Sequence, residues 1–151
     1  DRFMLRVHMG YPDIAEEKQI LRDRVGTNPL ESVRPVLSQS DVLGIQERVT
    51  GGKIDDALVD YLLLIVEGTR KCDALELGIS PRGSLALFRS AQALALIEGR
   101  DYCIADDIKR LVMPVFAHRV IINSRTAGLK NRNREAEKAL SDVIQSVSVP
   151  I

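Results

Sequence analysis

The sequence predicts an all-α fold, a bundle of about five helices with a short N-terminal strand in front and a further helix at the C-terminus. Three observations carry this. Aromatic residues make up only 4% of the 151 and Trp is absent, which suits interfaces packed with Leu, Ala, Ile and Val better than a β-sandwich. Several segments repeat apolar residues three and four positions apart, the spacing that lines one face of a helix. The segment 78–100 also has a helix start and a helix stop written into it.

The bulk composition narrows the function classes. A hydrophobic fraction of 45% and a charged fraction of 28% describe a globular chain with a sizeable core. The 21 basic and 21 acidic residues cancel, so no overall field argues for nucleic acid or a membrane surface, and neither is expected as a partner. No apolar run approaches the ~20 residues of a membrane-spanning helix. Cys72 and Cys103 make no Cys-x-x-Cys or Cys/His ligand spacing and read as reduced core thiols, which points to the cytoplasm; no metal site is expected. The chain shows no signal peptide and starts at Asp1, so it reads as a piece of a longer protein.

Taken in order, Phe3 to Met9 is apolar and β-prone and stops at Gly10-Tyr11-Pro12, so it reads as a strand whose partners lie elsewhere. Asp13 is a suitable N-cap for an amphipathic helix running to about Val25. Gly26 to Gln39, with Pro29 and Pro35, reads as a loop, and Ser40-Asp41 opens a shorter helix over Val42–Val49. Gly51-Gly52-Lys53 lacks the spacing and the preceding strand of a phosphate-binding loop and reads as a turn. Asp55 caps the next helix, where Leu58, Tyr61, Leu62, Ile65, Val66 and Thr69 define one buried face that ends near Cys72; Arg70 reads as a solvated C-terminal arginine.

The central helix follows. Ser80 is placed to cap it, Pro81 suits its first position, and Gly99 supplies the left-handed residue that closes it. Between them Leu85, Ala86, Leu87, Phe88, Ala91, Ala93, Leu94, Ala95, Leu96 and Ile97 are apolar nearly all round, as in a helix buried by its neighbours. Arg82 stands out as a cation in the first turn, where the helix dipole and free N–H groups favour an anion. Cation and helix end together suggest a bound anion such as phosphate; the other reading is an exposed arginine screened by water.

Beyond a short link at Asp101–Ile104, Ala105 opens a helix that Pro114 should kink, or end near Val112. His118 to Ile122 reads as extended, with His118 a packed or capping residue because no carboxylate or cysteine is spaced to orient it as a base. Asn123 to Arg134 reads as a polar linker, and Glu135 to Val147 returns to helical periodicity before Val149-Pro150-Ile151.

The string Gly78-Ile79-Ser80-Pro81-Arg82-Gly83-Ser84-Leu85, followed by Glu98-Gly99-Arg100-Asp101-Tyr102, resembles the helical lid of the MoxR family of AAA+ ATPases, and the resemblance extends over almost all of the chain. Asp1-Arg2-Phe3 is similar to the end of the box that closes the family's nucleotide-binding core. Gly10-Tyr11-Pro12-Asp13 is similar to the opening of the lid, and His118-Arg119 to the pair after its last helix.

The resemblance implies a division into the end of the core (1–11), the lid (12–122), and a linker with the C-terminal helix (123–151). It implies that Arg82 is the sensor 2 arginine, that Arg2 is a trans-acting arginine finger, and that Tyr11 and Pro12 lie near the adenine. The cofactors implied are ATP and Mg, with the Mg ligands in a core this chain lacks. The partners implied are copies of the same chain in a ring, a hexamer by family pattern, and client proteins, von Willebrand factor A domain proteins among them.

The implied activity is ATP hydrolysis coupled to chaperone-like maturation of those partners; without Walker A and B elements the segment is expected to be inactive alone. On the residues alone two other readings stay open. One is a non-catalytic helical interaction domain with an apolar groove away from Arg82. The other is a DNA-binding module, which would need Arg125 to Lys138 to form one basic face.

Overall fold

The structure is a computed structural model that describes residues 2–23, 28–123 and 132–150. Six α-helices are present among the described residues: α1 (Ile14–Asp23), α2 (Gln39–Thr50), α3 (Asp56–Lys71), α4 (Pro81–Ile97), α5 (Ala105–Phe116) and α6 (Arg132–Ser146). A 3-10 turn covers Pro29–Ser32, and two short strands, β1 (Leu75–Leu77) and β2 (Ile121–Ile122), pair antiparallel with Leu75 opposite Ile122. The chain forms two compact units, Val7–Ile45 on one side and Asp1–Arg6 with Gln46–Ile151 on the other.

In the Val7–Ile45 unit the local chemistry of the helix ends is clear. Asp13 and Glu16 cap α1 reciprocally, the Glu16 N–H donating to Asp13 Oδ1 at 2.8 Å and the Asp13 N–H to Glu16 Oε2 at 3.0 Å. Ser38 and Asp41 form the same device at α2, with the Ser38 N–H donating to Asp41 Oδ2 at 2.8 Å. The helix therefore starts at Gln39 rather than at Val42. Neither α1 nor α2 contains a buried residue, and Ile14, Leu21, Leu30 and Val36 are all exposed.

Residues 3–9 form no strand, which corrects the expectation for the N-terminal segment. A strand exists only where a neighbour completes its ladder. This segment has no ladder; its backbone is tied to the bundle by the Arg6 N–H, which donates to Pro114 O at 2.9 Å. The small sheet lies instead between the α3–α4 connection and the segment after α5, the second of which falls in the stretch expected to be extended.

The larger unit is built around α3, α4, α5 and α6. Tyr61, Leu62, Ile65 and Val66 of α3, Leu87 and Ala91 of α4, Ile108, Val112, Val115 and Phe116 of α5, and Leu140 and Val143 of α6 form one buried cluster. The face predicted for α3 is the buried one, apart from Leu58, which is half-buried. Helix α4 is not buried all round: Leu85 and Ile97 are exposed, while the polar Ser90 and Gln92 are inside. Gln92 turns inward because its Nε2 donates to Gly52 O at 2.8 Å, anchoring the Gly51-Gly52-Lys53 turn.

Capping follows the sequence in part. Asp55 Oδ1 accepts from the Ala57 N–H at 2.9 Å. Asp55→Ala should cost about 1 kcal/mol, read as a lower urea midpoint at unchanged m-value. Gly99 closes α4 at φ +78°, as predicted. Ser80 occupies the cap position without a side-chain bond; its carbonyl instead accepts from the Gly83 and Ser84 N–H groups, at 2.8 and 3.2 Å. Helix α5 continues through Pro114 to Phe116.

A basic groove at the start of α4 as the candidate functional site

The start of α4 is set in place from α3. Thr69, fully buried, donates its hydroxyl to Val66 O at 2.6 Å and accepts from the Ile79 N–H at 3.0 Å. Arg70 Nε donates to Ile79 O at 2.8 Å, so Arg70 is a tie between two elements rather than the solvated arginine expected. Gly78 makes this approach possible: a Cβ there would lie 2.8 Å from the backbone Cα and N of Arg70. The first turn of α4 is packed equally closely, since a Cβ on Gly83 would lie 2.6 Å from Ile79 Cγ2 and 3.6 Å from Arg119 Cδ.

Two adjoining cavities open at this helix end. One, of about 480 Å³, is lined by Arg70, Gly78, Ile79, Ser80, Arg82 and Arg119 among others. The second, of about 240 Å³, is lined by Arg2, Met4, Arg82, Leu85, Arg89 and Arg119 among others. Arg82 and Arg119 belong to both, so the two adjoin as one groove whose lining includes Arg2, Arg70, Arg82, Arg89 and Arg119 and no carboxylate. Burial and the neighbouring Arg82 charge both push the Arg119 pKa down, the sign of two cations held close together. A groove with this donor set suits an anion with several oxygens, such as a polyphosphate. It does not suit a cation, and no group of three His, Cys, Asp or Glu that could hold a metal exists among the described residues.

The structure thus brings Arg2 and Arg82 together on one cavity. Tyr11 and Pro12 are exposed members of the Val7–Ile45 unit. Sequence reasoning missed Arg89 and gave Arg119 no role. Arg89 follows Arg82 by seven residues, two helical turns, and that spacing was a usable signal; Arg119 is joined to the site only by tertiary contact. His118, expected to be packed or capping, is half-buried and donates from Nε2 to Phe3 O at 3.2 Å. Part of the basic stretch weighed as a DNA-binding face, residues 125–131, lies outside the described residues.

At the other end of α4, Arg100 makes a bidentate pair with Asp107 at 2.7 and 2.8 Å and also donates to Glu98 Oε2 at 2.8 Å and Tyr102 O at 2.9 Å. Glu98 in turn accepts from Arg110, and the fully buried Asp107 accepts from the Ile104 N–H at 2.9 Å. This network ties the end of α4 to the start of α5 and lies away from the groove. Cys103 beside it is buried and free, with burial and the Asp107 charge pushing its thiol up to about 11, so it is an unreactive core thiol. No helix among the described residues is long and apolar enough to cross a membrane.

A helical bundle presenting a cation at the first turn of its central helix defines a class, and the chain belongs to the AAA lid domain family, whose model matches residues 67–143. Within that class its relatives include MoxR proteins. It is 33% identical to the chaperone MoxR1 of Mycobacterium tuberculosis over 99% of this chain and 41% of that protein. It is 36% identical to the uncharacterized protein YeaC of Bacillus subtilis over all of this chain and 46% of that one. The crystal structure of a candidate ATPase from Cytophaga hutchinsonii superimposes on 99% of the chain with a TM-score of 0.86 and 25% identity, using 47% of its own length. The chain therefore spans about half the length of the curated relatives it matches.

Proposed function

We propose that this chain is the lid of a MoxR-type AAA+ ATPase and that its basic groove faces the phosphates of ATP. In this reading Arg82 is the sensor 2 arginine, reaching from the lid to the phosphates, and Arg2 the trans-acting arginine finger, compensating charge on the phosphoryl group bound by the neighbouring copy. Tyr11 and Pro12 contact the adenine. The residues present fit the polyphosphate and not the metal. When bound, Mg-ATP would supply the reacting phosphoryl group with part of its charge neutralised by the metal, and Arg82 and Arg2 would orient the phosphates and compensate the remaining charge.

The whole protein, in this proposal, assembles as a ring of copies, a hexamer, in the cytoplasm. It couples hydrolysis to maturation of client proteins, von Willebrand factor A domain proteins among them, while the 151 residues alone are inactive. Residues 1–11 then close the core, 12–122 form the lid and 123–151 the linker with its helix. The observation that carries the reading is Arg82 at the first turn of α4, on cavities whose linings hold further arginines and no carboxylate. Hydrolysis by the full-length protein, compared between wild type and Arg82→Ala, tests it; an unchanged rate in an assembled ring refutes it.

A second role is supported by the Val7–Ile45 unit. Its helices expose Ile14, Leu21, Val42 and Leu43 and bury nothing among the described residues, which favours coverage by a further surface, of the full-length protein or of a partner.

A further inference from the structure

Residues 2–6 form no ladder, yet they are held against the bundle at several points, and almost all of those points are on the segment 114–119. Arg119 Nη2 donates to the carbonyls of Phe3 and, at 3.3 Å, Met4. Its Nε donates to Val115 O at 2.8 Å, one turn back in α5. His118 Nε2 donates to the same Phe3 carbonyl at 3.2 Å, and the Arg6 N–H donates to Pro114 O at 2.9 Å. One planar guanidinium therefore joins the end of α5 to two consecutive carbonyls that follow Arg2, while its stem passes Gly83 in the first turn of α4.

We propose that Arg119 is a positioning residue that brackets residues 3 and 4 to the end of α5 and so fixes the direction in which Arg2, the arginine finger of the proposed function, leaves the bundle. The proposal rests on the reading of Arg2 and Arg82 as phosphate-facing residues. Its physical basis is that an irregular segment without a ladder has many conformations, and a forked donor with fixed geometry selects one of them at low entropic cost. The Arg82 charge beside Arg119 would favour splaying the groove apart, and the three carbonyl bonds oppose that. Arg119 thereby acts through Arg2 and is not itself assigned to the phosphates.

Two measurements test this. In the 151-residue chain, Arg119→Ala should speed hydrogen exchange of the Arg6 amide at least about tenfold while the amides of Ile65 and Leu87 keep their protection, the pattern of local rather than global opening. In the full-length protein, Arg119→Ala should lower kcat about 10- to 100-fold with KM for ATP within about twofold, because misplacement of a charge-compensating group acts on the transition state. In an Arg2→Ala background the same substitution should cost less than about twofold, since two residues acting through one group are not additive.

Arg119→Lys keeps the charge but has one ammonium, which cannot span the same carbonyls, so it should fail like alanine. Full rescue by lysine, additivity with Arg2→Ala, or unchanged exchange at Arg6 would each overturn the positioning role while a costly Arg2→Ala left the parent reading standing. An Arg2→Ala protein that hydrolyses ATP normally would overturn the Arg2 reading, and with it the positioning role, whatever the exchange data show.

Discussion

Arg100→Ala is expected to lower the melting temperature of the chain by on the order of 10 °C. The reason is Asp107. Its carboxylate is fully buried and is kept there by both Arg100 nitrogens and the Ile104 N–H. Removing the arginine leaves a buried charge with one backbone donor, and the loss is the desolvation of that charge rather than the modest net worth of the pair.

Burial raises the Asp107 pKa, but the hydrogen bonds from Arg100 and Ile104 and the Arg100 and Arg110 charges outweigh it, so the group sits below the ordinary carboxylate range. A depressed folded-state pKa stabilises the protein above the unfolded value, about 3.9, and that stability is lost as pH falls through the folded value. Wild type should accordingly hold its melting temperature down to about pH 4 and lose it below. Arg100→Ala should already be destabilised at neutral pH and should recover part of the gap on acidification, as Asp107 is protonated. Equal melting temperatures for the two proteins at neutral pH would remove the network from the account of the fold.

Arg82→Ala is expected to cut kcat of the full-length protein by about 10²-fold, the usual loss when one preorganised donor to a developing charge is removed. Its stability should move the other way or not at all. Arg82 is exposed, makes no ion pair with any described carboxylate, and lowers the Arg119 pKa by its charge, so its removal relieves repulsion in the groove. Surface substitutions of this kind stay within about 0.5 kcal/mol. A fall in activity with an unchanged or raised melting temperature separates a phosphate-facing role from a structural one. Arg82→Lys should recover only part of the rate, because a single ammonium does not make the two parallel bonds a guanidinium makes to a phosphate. A melting temperature that falls together with the rate would place Arg82 in the scaffold and leave the groove without its central cation.

The helices were legible because their determinants are local. Asp13 with Glu16, Asp55 with Ala57, Pro81 and Gly99 act within one turn of themselves, and the 58-61-62-65-66-69 spacing of α3 is a property of helical geometry alone. Where local reasoning went astray, a distant partner was decisive. Phe3 to Met9 has the composition of a strand and no ladder to join. Ser80 has the chemistry of a cap and a side chain that makes no capping bond. Gln92 has the polarity of a solvent-facing residue and is turned inward by the Gly52 carbonyl forty positions away.

The candidate site divides along the same line. That a cation stands at the start of a central helix, and that this marks an anion site, follows from the order of residues 78–100, because a helix terminus carries its own partial charge and its own free donors. Which cations share the site is not a local property. Arg70, Arg119 and Arg2 arrive from the end of α3, the end of α5 and the N-terminal segment, and the bond from Arg119 to the Phe3 carbonyl joins residues 116 positions apart. Residue order alone sets the helices, most of their caps and the one arginine that faces outward from the first turn of α4. The company that arginine keeps comes from packing among α3, α4 and α5, because charge, unlike helical periodicity, acts through space and without regard to chain order.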